Sequence, residues 1–111
     1  MSSTFEDLKA WQLAMELVVD LYKCTEDFPK RERYGLTDQL RRAAVSVPRN
    51  FAEGKGRASD KEMLQFLYHA RGFIYEVQTQ LTIARRLGYL TTPNDDRLQN
   101  ERPKSVESST T

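Results

Sequence analysis

Six basic side chains crowd between positions 41 and 61 of this 111-residue chain: Arg41, Arg42, Arg49, Lys55, Arg57 and Lys61. Guanidinium groups make paired hydrogen bonds to phosphate oxygens, and lysine adds a point charge. The chemistry on offer is therefore the holding of a polyanion such as RNA or another nucleic acid. Arg71 is a weaker seventh candidate. Arg41 and Arg42 stand about 100° apart on a helix, so one of them is expected to be structural, paired to acids of the first helix. Tyr34, Tyr68 and Tyr75 could stack on unpaired bases if exposed, although tyrosine at a bundle edge is usually half-buried packing.

Catalytic and metal chemistry find little to work with. One cysteine, Cys24, and one histidine, His69, cannot build a zinc site within a chain. The Glu-x-x-His pair of di-iron bundles is absent, because Phe66 stands three residues before His69. Cys24 falls near a helix C-terminus, where the dipole disfavours the thiolate. His69 shares a helix face with Glu62, Gln65 and Glu76, the pattern of a solvated surface. Gly54-Lys55-Gly56-Arg57 lacks the spacing and the following Ser/Thr of a Walker loop. No catalytic residue, cofactor or metal is expected, and the reading is of a protein that is not an enzyme.

The net charge of +1 conceals a strong asymmetry. From Met1 to Phe28, six acids face two lysines; from Pro29 to Lys61, nine basic residues face four acids. Local charge of this kind, and not the total, attracts a polyanion. The single cysteine rules out an intrachain disulfide. No apolar run approaches the roughly 20 residues of a membrane span, so a cytoplasmic location and no membrane partner are expected.

The elements that must position these residues are helical. Thr4 can cap a first helix, along which Leu8, Trp11, Met15, Val18 and Tyr22 recur at steps of three and four, with Ala14, Leu17 and Leu21 widening the stripe. Pro29 stops it. A second helix is predicted from about Leu36 to Glu53, with a core row of Leu36, Leu40, Ala43 or Ala44, Val47 and Phe51. Pro48 lies inside it and should kink it, with Ser46 and Asn50 placed to satisfy freed backbone groups. Gly54 is expected to end it. Ser59-Asp60-Lys61-Glu62 is a capping box opening a third helix. Met63, Leu67, Ala70, Ile74, Val77, Leu81 and Ala84 hold a strict pattern there, and Phe66, Phe73 and Leu87 add a second stripe. Two stripes predict the central helix, Gly72 predicts close approach of another backbone, and Gly88 predicts the stop.

The fold class is thus all-α: an up-down bundle of three long helices in a domain spanning residues 1–92. Residues 93–111 read as a short, atypical fourth helix and a disordered polar tail, since only Leu98 is apolar before Pro103. Such a segment cannot cover the three apolar faces, so self-association or a partner is expected to do so.

Several short motifs occur in order: Leu8-Lys9-Ala10-Trp11-Gln12, Phe28-Pro29, Tyr34-Gly35-Leu36, Gln39-Leu40-Arg41-Arg42-Ala43-Ala44, Ser46-Val47-Pro48, Asn50-Phe51-Ala52-Glu53-Gly54 and Ala70-Arg71-Gly72. Over about residues 5 to 90 the chain resembles the small four-helix-bundle proteins encoded in intervening sequences of bacterial 23S ribosomal RNA genes. These are related to the accessory variability determinant proteins of diversity-generating retroelements. The resemblance implies an up-down bundle, ring-like homo-oligomers that are commonly pentamers, and a basic surface for nucleic acid and a reverse transcriptase. Members usually continue into a long apolar fourth helix, whereas this chain turns polar after Leu98, and Phe73 stands where a small serine is usual. The expectation is a non-enzymatic, homo-oligomeric bundle binding structured RNA or RNA–DNA. The alternative is a protein–protein accessory module, for example a reverse-transcriptase partner.

Overall fold

A computed structural model describes residues 4–90, with side chains from Leu8 onward. These residues form three α-helices and no strand: α1 (Thr4–Cys24), α2 (Leu36–Lys55) and α3 (Asp60–Arg86). Two short 3-10 turns, Thr25–Asp27 and Lys30–Glu32, join α1 to α2. The expected fourth helix and polar tail, residues 93–111, lie outside the described residues.

The helix ends follow from local chemistry. Ser59 caps α3, its hydroxyl accepting from the Glu62 backbone N–H at 3.2 Å. At the other end Gly88 takes a φ of 82°, the left-handed conformation that glycine adopts without a Cβ clash. Gly54, by contrast, does not end α2. It is buried inside the helix, and Gly56 is the cap. A Cβ at Gly54 would lie 3.2 Å from Phe66 Cβ and 3.5 Å from Met63 Cγ, so its missing side chain lets α2 and α3 approach. The close approach expected at Gly72 is absent, since a Cβ there would meet nothing within 4 Å.

The α2 helix continues through Pro48. Around it, the Ser46 hydroxyl donates to the Arg42 carbonyl at 2.9 Å, and Asn50 Nδ2 donates to the Ser46 carbonyl at 2.7 Å. Both side chains bond carbonyls of this turn, but those of Arg42 and Ser46, not the Ala44 carbonyl that Pro48 leaves without its helical donor.

The middle helix is α2, not α3. It packs against both neighbours, while α1 and α3 make few direct contacts with each other. One core cluster joins the end of α1 (Leu21, Cys24), the start of α2 (Leu40, Ala43, Ala44) and the end of α3 (Val77, Leu81, Ala84). That juxtaposition requires an up-down-up course. A smaller cluster of Ala14, Val47 and Ala70 lies further along. The apolar row of α3 faces the core from Ala70 onward, as its spacing predicts.

The stripe on α1 is turned from the expected position. Ala14, Leu21 and Cys24 are buried, whereas Leu8, Trp11, Met15 and Tyr22 are exposed. The reason is geometric. Positions 11 and 14 are about 60° apart around a helix, and a single packed neighbour covers only one side of so broad an apolar face.

Candidate nucleic-acid interface

Three of the seven sequence candidates share one groove. Arg41, Arg42 and Arg49 line a cavity of about 470 Å³ with Tyr22, Asp38, Val45 and Ser46. The helical repeat explains the assembly: Arg42, Val45, Ser46 and Arg49 follow at steps of three, one and three, on one side of α2.

Each guanidinium is held differently. Arg41 reaches the end of α1, where Nε donates to Thr25 Oγ1 at 2.8 Å and a terminal nitrogen donates to the Tyr22 carbonyl at 3.2 Å. Its guanidinium carbon also lies 4.4 Å from the centre of the Tyr22 ring. Arg41 thus fastens α2 to α1 through neutral acceptors and a ring, rather than through the acids of α1. Thr25 is buried and its own hydroxyl donates to the Leu21 carbonyl at 2.7 Å, so the anchor is itself fixed.

Arg42 and Arg49 face outward. Arg42 bonds Asp38 at 2.8 Å one turn back along α2, with its side chain 78% exposed. At that exposure the pair contributes little stability. A terminal nitrogen of Arg49 donates to Ser46 Oγ at 3.0 Å. Both guanidinium groups keep further N–H donors beyond these bonds.

Lys55, Arg57 and Lys61 lie apart from this groove, beyond the far end of α2. All three are exposed. Arg57 folds back, donating from Nε to the Glu53 carbonyl at 3.2 Å and lying 4.6 Å from the Phe66 ring centre. Arg71 lies on exposed α3, 5.5 Å from the centre of the Tyr68 ring. The structure therefore divides the candidates into a groove at the α1–α2 face, a basic turn between α2 and α3, and an isolated arginine.

All three tyrosines singled out in the sequence are exposed, Tyr34 most of all. The charged turn that carries Tyr34 adds three exposed basic residues outside the seven sequence candidates. Lys30, Arg31 and Arg33 belong to the basic segment, but no helical period groups them with the other candidates. The signal available was the run Lys30-Arg31-Glu32-Arg33-Tyr34 itself.

Two apolar surfaces lie beside these basic ones. Leu8, Trp11, Phe51, Met63 and Leu67 line a groove of about 430 Å³ where the start of α1 meets the α2–α3 turn. A second, wider hollow on α3 is lined by Tyr68, Gly72, Phe73, Tyr75 and Ile83. His69 is exposed with its ring edge-on to Phe66, and Cys24 is buried. Among the described residues, no helix is long and apolar enough to cross a membrane.

The family described as 23S rRNA-intervening sequence protein matches residues 6–106. That span is most of the chain, and the chain belongs to this family. A comparison with curated proteins gives no match.

Proposed function

With that family membership as premise, we propose that the chain is a non-enzymatic, self-associating helical bundle that binds structured RNA or an RNA–DNA hybrid through phosphate contacts. The observation that carries the reading is the convergence of Arg41, Arg42 and Arg49 on one groove. Arg41 holds the groove's two helices together, while Arg42 and Arg49 offer donors to solvent. Lys55, Arg57 and Lys61 supply a second basic surface, with Arg71 as an outlying contact. The reading includes a bend of α2 at Pro48, favoured by the serine back-bond onto the Arg42 carbonyl in that turn. Self-association, with a pentamer as the form implied by resemblance, draws support from the exposed apolar residues of α1 and α3. The cytoplasm is the compartment this role requires.

The test is a titration of a structured RNA at several salt concentrations. Each neutralised phosphate contributes close to one unit of slope in a plot of log affinity against log salt. Replacing Arg49, Lys55 and Arg57 together by glutamine is expected to flatten that slope by about two to three units. An unchanged slope rejects the assignment.

A second reading, a protein–protein accessory module such as a reverse-transcriptase partner, is favoured by the apolar groove around Trp11, Phe51 and Leu67. Equal, weak retention of RNA and of a neutral polymer, with tight binding to a protein partner, would select it.

A further inference from the structure

Among the described residues, the most exposed large hydrophobic side chain is Tyr34, at 87% of its full accessibility. It stands on the α1–α2 turn, and packing does not explain it. The turn beneath is firmly built. The Glu32, Arg33 and Gly35 backbone N–H groups donate to the Pro29, Lys30 and Glu32 carbonyls at 2.9–3.0 Å. Glu32 then closes it from both sides, accepting from the Leu36 N–H at 3.0 Å and from the Tyr89 hydroxyl at 2.8 Å. Gly35 makes room for that carboxylate, since a Cβ there would sit 2.9 Å from Glu32 Oε1. A rigid turn thus presents a bare aromatic ring.

Basic side chains flank the ring. Lys30, Arg31 and Arg33 of the turn are all exposed. The chain's up-down-up course also returns the last turn of α3, with exposed Arg86, to this end of the molecule. Tyr89 secures that return, packing on Phe28 with ring centres 5.4 Å apart and lying beneath the Arg31 guanidinium at 5.9 Å. The local acids are Glu26, Asp27, Glu32 and Asp38, of which Glu32 is committed to Leu36 and Tyr89 and Asp38 to Arg42.

We infer that Tyr34 is a stacking platform for an unpaired base, with Lys30, Arg31, Arg33 and Arg86 holding the phosphates on either side of it. Every base has a π-face, so an aromatic ring on a positive surface binds single-stranded nucleotides with little sequence preference. The inference rests on the nucleic-acid reading above and names its substrate: RNA carrying unpaired nucleotides in a loop or bulge, rather than a continuous duplex. The Tyr34 surface is separate from the α2–α3 turn of Lys55, Arg57 and Lys61, which lies at the opposite end of α2.

The experiment compares two RNAs with equal numbers of phosphates, a hairpin with an unpaired loop and a blunt duplex, against the full chain. Tyr34→Ala is expected to weaken hairpin binding about tenfold, within the range for one stacked base. It should leave duplex binding and both salt slopes unchanged. Tyr34→Phe should retain hairpin affinity, and Arg31→Gln with Arg33→Gln should flatten the salt slope. Circular dichroism checks that each variant keeps its helices. Wild-type hairpin affinity in Tyr34→Ala, or an equal loss on both RNAs, overturns the inference and leaves the broader reading standing. Failure of the wild-type chain to bind either RNA overturns both.

Discussion

Tyr89 donates its hydroxyl proton to Glu32 Oε2 at 2.8 Å across 57 positions of sequence. The other oxygen of the same carboxylate caps α2 through the Leu36 N–H. One acid therefore starts the second helix and holds the chain that leaves the third. The Leu36 N–H, the Tyr89 hydroxyl and the nearby Arg31 charge favour the ionised form and hold the Glu32 pKa below the ordinary carboxylate value.

The sign of the pH effect follows from that depression. The folded state releases the Glu32 proton more readily than the unfolded chain does. The contribution to stability is therefore complete above the unfolded carboxylate's pKa, and it is lost as pH falls through the lower folded value. Glu32→Gln is expected to reduce the thermal unfolding midpoint at neutral pH, with the gap to wild type narrowing in acid. Melting curves over a pH series check this, and a pH-independent gap would contradict it.

Arg41 is expected to matter for stability more than for binding. Arg41→Lys keeps the charge but loses the planar group that bonds Thr25 and Tyr22 together. The expected cost is about 1 kcal/mol, the scale of a partly exposed hydrogen bond. Denaturant unfolding measures it. The RNA salt slope of this variant should match that of wild type.

Two glycines offer opposite outcomes from one substitution. Gly54→Ala places a methyl group 3.2 Å from Phe66 Cβ, an atom that cannot retreat without moving α3. It is expected to destabilise by about 1–2 kcal/mol, as overpacking does. Gly72→Ala meets open space inside a helix and is expected to stabilise by about 0.5–1 kcal/mol through reduced backbone entropy. Chemical denaturation of the two variants tests both signs at once.

The outward residues of α1 carry the self-association prediction. Met15 and Val19 lie exposed one turn apart, beside Glu16 and Asp20. Replacing both by glutamate should lower the solution mass measured by light scattering while leaving helical content unchanged. An unaltered mass would place the contacts between copies elsewhere.

How far the sequence could be read depended on whether the determinant was local. Ser59, Gly88 and the start of α2 at Leu36 obey signals carried within a few residues, and they fall where expected. The in-facing side of α1 was not legible in the same way. Trp11 and Ala14 both belong to a broad apolar face, and only the placement of α2 decides that Ala14 is buried. Arg41 and Arg42 present the same difficulty, since their roles depend on where Tyr22 and Thr25 stand. The meeting of Arg31 and Arg86 at one end was hidden for a topological reason, since it follows from the up-down-up packing of the three helices.

The placement of α2 between helices that scarcely touch has a mechanical meaning. At its Thr25 end α1 is latched by Arg41 and by the core around Leu21, while around Trp11 it borders an open groove. It is thus held from Ala14 to Thr25 and less so around Trp11. Amide exchange is expected to quicken along α1 away from Thr25. An apolar group wedged between Trp11 and Leu67 would slow that fraying, reporting an occupant before its identity is known.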